Sequence, residues 1–352
     1  MLYGTENPHG GDVYTNPVKL DFSASINPIG TPASVIDTLC RELKKPDRYP
    51  DPYCREAVRA VGIYENVDQD QVIAGNGAAE LIYTWCGAVR PRKAMIVIPA
   101  FSEYERALKD RDSEIVYHLL SEDNDFLPDG SVLTAVSAHR PDALFLCDPN
   151  NPTGRALPED LLNEILVLCD RLDVRVFLDE CFRDLTGRSQ NVRKLLMDHP
   201  GLFILKALTK TFALAGLRIG YGLTADSGLL RRMSCAVQPW NVSSLAQKAA
   251  AAALQERMYL DISVGLIRSE RKYLAEELEA LGFHVCPSEA NFLLFQAPAQ
   301  LGSLLLKEGI AVRDCQNFAG LGPGWFRTAV RGHRENETLI AAMRRIRQEQ
   351  LI

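Results

Sequence analysis

The order of apolar runs along the chain predicts an α/β protein, with a large domain on a mostly parallel sheet and a smaller α+β domain after it. Three observations carry this. Short apolar runs at 94–98, 143–147, 174–178, 202–205 and 219–223 have the length and continuity of strands buried on both faces. Helical patterns separate several of them. From residue 282 onward the rhythm changes to short strand-like runs alternating with helices.

Taken in order, residues 1–30 are extended and punctuated by Pro and Gly, which predicts an arm joining the small domain. The large domain is expected over 31–260. Within it, 158–172 opens with Pro158-Glu159-Asp160, a proline and acidic first turn suited to a helix start. A long helical stretch over 243–281 is expected to break near 261–265, where β-branched residues meet Gly265. The small domain, 261–352, should hold strands at 291–295, 310–312 and 325–330 and a closing helix over 335–350.

Composition bounds the function. The chain has 352 residues, 47% of them hydrophobic and 24% charged, so it can bury a cofactor-sized cleft and gives no case for disorder. A formal charge of −6 argues against a surface built for nucleic-acid phosphates. No apolar stretch reaches the length of a membrane span and none near the start resembles a signal peptide, so no membrane partner and a cytoplasmic location are expected. The 9 cysteines include no CxxC pair and the 6 histidines no HxxxH or HExxH spacing; reduced thiols and no metal are expected.

Four segments stand where a parallel sheet presents its loops: Gly75-Asn76-Gly77-Ala78-Ala79-Glu80, Asp148 to Gly154, Leu178-Asp179-Glu180, and Thr209-Lys210 with Arg218. Ligands of such sheets collect at the carboxyl ends of strands, so the four could converge on one site. Lys210 lies between Leu205 and the apolar run 212–217, where a lysine has no evident reason to face water. A desolvated lysine has a lowered pKa, can form an imine with an aldehyde and can move protons. Asp179 ends an apolar run and could cap a following helix instead. Asn151 could be a turn residue. Gly77, Ala78 and Ala79 open a helical stretch whose free amides suit an anion.

Together these segments resemble the fold-type-I enzymes that use pyridoxal 5′-phosphate (PLP), the aminotransferase superfamily, over nearly the whole chain. The eight-residue spacing from Lys210 to Arg218 is the most specific part of the match. The resemblance implies PLP held as a Schiff base by Lys210, with Asp179 on the pyridinium nitrogen, Asn151 on the 3′-oxygen and Phe101 stacked on the ring. It implies a phosphate site of Gly77, Ala78, Ala79, Thr209 and Arg218. Tyr49 resembles the tyrosine that reaches the phosphate from a neighbouring subunit, which implies a homodimer with a shared active site. Arg327 resembles the arginine that grips a substrate carboxylate, with Asn291 bordering the pocket. The chain departs from the pattern at Ala207, where many relatives carry Ser or Thr, and at Phe182, where many carry Tyr.

Within the superfamily the chain looks similar to two groups acting on phosphorylated substrates, the threonine-phosphate decarboxylases of cobalamin biosynthesis and the histidinol-phosphate aminotransferases. His9-Gly10-Gly11, the segment from Asp21 to Gly30 with Asn27, Phe182, and Arg327 to Arg331 favour the first. His9, Arg327 and Arg331 are candidate anchors for the substrate phosphate. The implied reaction is decarboxylation of O-phospho-L-threonine to (R)-1-aminopropan-2-yl phosphate, with transamination of a histidinol-phosphate type as the alternative. A non-catalytic PLP-binding regulator is a third reading, disfavoured because no length is spare for a helix-turn-helix module.

Overall fold

In the computed structural model, residues 9–349 are described, so the first eight residues of the expected arm and the last three of the chain lie outside the description. A two-residue strand, β1 (Leu20–Asp21), precedes seven longer ones: β2 (Val72–Asn76), β3 (Lys93–Ile98), β4 (Glu114–Leu119), β5 (Ala143–Cys147), β6 (Arg175–Asp179), β7 (Leu202–Ala207) and β8 (Ile219–Leu223). The seven form one sheet in the order β2-β8-β7-β6-β5-β3-β4. All neighbours pair in parallel except β8, which runs antiparallel to both β2 and β7.

Successive side chains enter two different cores, as the period of a strand requires. On β5 to β7, Leu144, Leu146, Val176, Leu178, Leu202 and Ile204 pack on one face, while Phe145, Phe177, Phe203 and Leu205 pack on the other. This two-sided burial is why these strands read as unbroken apolar runs. Helix Glu159–Leu172 covers one face through Leu162, Ile165, Leu166 and Cys169, a stripe at helical spacing, with Pro158 at its N-cap as the sequence predicts.

Two strands escape the sequence reading. β4 lies at the sheet edge with Tyr117 and Leu119 exposed, so its pattern lacks a continuous apolar signal. β2 carries Gly75 and ends on Asn76, residues that read as loop. The expected helix break is also misplaced. One helix covers Ser244–Ala253 and a second, Arg257–Ala280, runs unbroken through 261–265. Ser263 in that stretch is fully buried, donates to the Tyr259 carbonyl at 2.7 Å and accepts from Asn27 Nδ2 at 2.8 Å. Tertiary packing outweighs the roughly 1 kcal/mol that a mid-helix glycine costs.

After that helix come β9 (His284–Val285), β10 (Phe292–Gln296), β11 (Ile310–Ala311), β12 (Arg313–Asp314) and β13 (Trp325–Ala329). An antiparallel sheet of order β12-β13-β10-β9 packs on helices Arg257–Ala280 and His333–Gln348 through a third core that includes Leu274, Phe295, Phe326 and Met343. The N-terminal segment reaches this region directly, since β1 pairs in parallel with β11.

Candidate active site

One edge of the large sheet gathers the chemistry. The parallel strands β2, β3, β5, β6 and β7 end there, and β8 begins there because it runs the other way. Register fixes this: Asn76 faces Ile219, Ala207 faces Gly220, Asp179 faces Leu205, and Cys147 faces Asp179. Around a cavity of about 240 Å³ stand Ala78 and Ala79 after β2, Phe101 after β3, Asn151 after β5, Asp179 and Phe182 at and after β6, Thr209 and Lys210 after β7, and Arg218 before β8.

Two glycines of β8 make this edge possible. A Cβ at Gly220 would sit 2.7 Å from the Ala78 nitrogen, and one at Gly222 would sit 2.1 Å from the Phe203 ring. The bare Cα of Gly220 lets helix Gly77–Val89 start close against the sheet, while that of Gly222 leaves room for the Phe203 ring. Its first amides have no partners within the helix. Gly77 itself has φ +75° and lies so close to Arg218 that a Cβ would meet Nη2 at 2.4 Å. Helix amides, the Arg218 guanidinium and the buried Thr209 hydroxyl therefore form one anion cradle. We expect Gly77→Ala to weaken PLP binding measurably, since a side chain in the left-handed region costs roughly 1–2 kcal/mol and must also displace Arg218. Equilibrium titration of apo-protein with PLP would check this.

Lys210 sits in the short helix Leu208–Thr211 at the cavity wall, its Nζ 6.0 Å from the Phe182 ring centre. Burial, together with Arg327 and Arg218, pushes its amine down to about 8, against the opposing pull of Cys181 and Asp179. A neutral amine is then available near physiological pH. The sign follows from the lowered value: the unfolded chain binds more protons here between pH about 8 and 10.5, so this group favours the fold increasingly as pH rises through that window. Capture of PLP at this single lysine, trapped with borohydride, should climb through pH about 8. A rise only near the ordinary lysine value would contradict the site's electrostatics.

Asp179 is buried, and burial pushes its carboxyl up while Cys181, Tyr104 and Lys210 oppose that rise. Tyr104 donates to Oδ2 at 2.6 Å and the Cys181 amide to Oδ1 at 2.9 Å. Tyr104 was not singled out from sequence; its place three residues after Phe101, one turn along helix Ser102–Lys109, is what aims it back under the sheet. Its ring packs edge-on to Phe101 at 5.8 Å and within 5.5 Å of Phe145.

The small sheet supplies the opposite wall. Arg327 is buried, donates through Nη1 to Asn151 Oδ1 and through Nη2 to the Ser23 carbonyl at 3.0 Å, and lies 5.0 Å from the Phe292 ring. Burial lowers its guanidinium to about 10, still cationic at neutral pH. Arg313 also lines the cavity and pairs directly across the strands with Arg327. The Arg313 guanidinium donates to the Asp314 carbonyl and, through Nη2, to Asn317 Oδ1 at 2.7 Å, and two like charges beside one cavity favour an anion there. Sequence gave no hint of it, because β12 is two residues long. His9 completes the rim, its Nε2 bonded to Glu103 Oε1 at 2.8 Å and its ring 5.5 Å from Phe101. Burial would raise the Glu103 carboxyl, but His9, Tyr83 and Arg106 outweigh it and hold the group down to about 2.

Besides Gly77, which lies behind Arg218, four residues singled out in the sequence do not line this cavity. Asn27 is buried and spends its amide on the Thr211 carbonyl at 2.9 Å and on Ser263 at 2.8 Å. Arg331 pairs with Glu335 at 2.7 Å and donates to the Asp21 carbonyl at 3.0 Å, which braces the arm. Asn291, just before β10, is fully buried, and neither polar atom of its side-chain amide has a hydrogen-bond partner. Tyr49 is exposed, its ring 5.1 Å from that of Trp240. At Phe182 the ring packs edge-on to Phe292 at 5.0 Å, an apolar contact that offers a tyrosine hydroxyl no advantage.

An anion cradle, an amine held near neutrality and a buried carboxylate on one cavity define a PLP-type site, and the donor set fits that cofactor. The family model for class I and II aminotransferases matches residues 17–346, and the chain belongs to that PLP-dependent family. It is 36% identical over 331 residues to the threonine-phosphate decarboxylase of Salmonella typhimurium, covering 93% of this chain and 91% of that one. It is 32% identical over 321 residues to the histidinol-phosphate aminotransferase of Methanothermobacter thermautotrophicus, covering 88% and 84%. The crystal structure of the histidinol-phosphate aminotransferase from Clostridium acetobutylicum superposes with a TM-score of 0.87 at 29% identity, over 94% of this chain and 99% of that one. Among the described residues, no helix is long and apolar enough to cross a membrane.

Proposed function

We propose that this enzyme decarboxylates a phosphorylated amino acid, O-phospho-L-threonine, to (R)-1-aminopropan-2-yl phosphate, a step of cobalamin biosynthesis. The observation that carries the substrate class is the register pairing of Arg313 with Arg327 at the cavity, with His9 at its rim. Two guanidiniums suit a substrate bearing both a carboxylate and a phosphate. Likeness to the Salmonella typhimurium decarboxylase supports the reaction. So does the Phe182 ring on the cavity wall, because an apolar surface favours loss of a carboxylate as neutral carbon dioxide over keeping its charge.

In this reading Gly77, Ala78, Ala79, Thr209 and Arg218 would hold the cofactor phosphate, Asn151 would meet its 3′-oxygen, Phe101 its ring face, and Asp179 would keep its ring nitrogen protonated. When bound, PLP supplies a sink for the electron pair left at the α-carbon. Lys210 would hold the cofactor through its amine and, as a free amine, would carry a proton to the substrate α-carbon. Arg313, Arg327 and His9 orient the substrate so that the bond to the carboxylate is the one that breaks. Arg327 is placed to sense the cofactor side as well, through its contact with Asn151.

We further infer a homodimer in which Tyr49 of each subunit completes the partner's phosphate site. Its support is the exposure of Tyr49 beside Trp240 in a chain whose family uses such a tyrosine. Mixing inactive Tyr49→Phe and Lys210→Ala chains should restore part of the activity, because some mixed dimers carry one intact site. No recovery in demonstrably mixed dimers, with each parent inactive, would count against the shared site.

A further inference from the structure

Outside the active-site cavity, one cluster of side chains converges without a role in the chemistry above. His284 and Cys286 are two residues apart on an extended segment, so their side chains leave the same face, while Val285 between them enters the small-domain core. Facing them is Asp125, held in the left-handed region at φ 56° after the turn Glu122–Asn124. His284 Nε2 lies 2.7 Å from Asp125 Oδ1. The Cys286 thiol is buried against the same carboxylate, and the three potential ligand atoms all lie within 4.8 Å of one another. None of the three lines the cavity.

We propose that Asp125, His284 and Cys286 form a binding site for a zinc-type divalent cation that clips the small sheet to the loop following β4. A thiolate, an imidazole nitrogen and a carboxylate oxygen are the donors that zinc takes, and three protein ligands leave a fourth, tetrahedral position for water. On binding, the Cys286 thiol gives its proton to solvent and the sulfur coordinates as thiolate, while His284 donates the lone pair of Nε2 and carries its proton on Nδ1. The His284 ring is already placed by Trp325, edge-on at 6.2 Å, and Trp325 in turn meets Phe126 at 5.5 Å. Cys286 is fixed by its amide, which donates to the Leu294 carbonyl at 2.9 Å.

The location gives the clip a consequence. The chain just after Cys286 packs on the loop that carries Asn151: Arg155 donates to the Pro287 carbonyl at 3.3 Å, and the Glu289 amide donates to the Gly154 carbonyl at 2.8 Å. A metal at Asp125, His284 and Cys286 braces that loop from behind. Asp125 lies 159 positions from His284, which is why His-x-Cys alone carries no metal signal.

The test uses holoenzyme stripped with EDTA and titrated with Zn²⁺ or with Co²⁺ as a spectroscopic probe. We expect uptake of one equivalent per chain, intense visible cobalt bands to the red of the cofactor absorption, and a thermal midpoint that rises with free Zn²⁺. X-ray absorption of the zinc form should show one sulfur at about 2.3 Å and lighter ligands at about 2.0–2.2 Å. His284→Ala, an exposed change expected to fold normally, should weaken binding more than about 10–100-fold, the loss that even an outer-shell change brings; Cys286→Ser should remove the sulfur signal. The exposed cysteines Cys40 and Cys235 serve as controls, and their serine variants should bind as the parent does. Absence of stoichiometric uptake, or uptake retained in His284→Ala and lost with Cys40 or Cys235, would overturn the proposal and leave an ordinary Asp125–His284 ion pair.

Discussion

Replacing Lys210 with alanine is expected to abolish covalent attachment of PLP and to reduce turnover by at least about 10²–10⁴-fold, the range for loss of a positioned proton-transfer group. The larger part of the loss comes from removing the cavity lysine, whose amine is pushed down to about 8 by burial and by Arg327 and Arg218. Purified wild-type protein should be yellow and borohydride should fix the cofactor to the peptide containing Lys210. The variant should show neither property. Covalent cofactor on another lysine of the variant would contradict the assignment.

Asp179→Ala is expected to have the next largest effect. It removes the carboxylate that accepts from Tyr104 and from the Cys181 amide, so two buried donors lose their partner along with the ring-nitrogen contact proposed for it. Truncating one partner of a buried, hydrogen-bonded charge pair costs about 2–5 kcal/mol, which places the fall in turnover at roughly 30- to 5,000-fold. Tyr104→Phe isolates the smaller share. It leaves the carboxylate in place but removes its shortest hydrogen bond, at 2.6 Å, so cofactor should still bind while the pH dependence of its absorption shifts. An unchanged spectrum and pH profile in Tyr104→Phe would make the phenol a packing residue only.

Much of this site is legible in the sequence because its residues follow apolar runs. Asp179, Lys210 and Arg218 stand at the ends of strands buried on both faces, and two-sided burial writes itself as continuous hydrophobicity. Tyr104 and Glu103 are harder to see, since their distant partners, Asp179 for the first and His9 and Tyr83 for the second, come near only in the fold. Arg313 was invisible for another reason: its meaning lies in cross-strand register, which no spacing along the chain encodes. The same limit explains Asn27 and Arg331. Both fall in segments that match substrate-binding patterns, yet hydrogen bonds to Thr211, Ser263, Glu335 and Asp21 hold their side chains in structural roles outside the cavity. The helix through 261–265 shows packing overriding local propensity, with Ser263 buried against Tyr259 and Asn27 where the sequence suggested a break.

The central claim concerns which bond at the α-carbon breaks, and one assay addresses it directly. Holoenzyme incubated with O-phospho-L-threonine alone should release carbon dioxide stoichiometrically with aminopropanol phosphate over many turnovers, because decarboxylation ends with reprotonation and needs no keto-acid partner. Absence of carbon dioxide from O-phospho-L-threonine, together with formation of glutamate from histidinol phosphate and 2-oxoglutarate, would contradict the account and identify the enzyme as an aminotransferase.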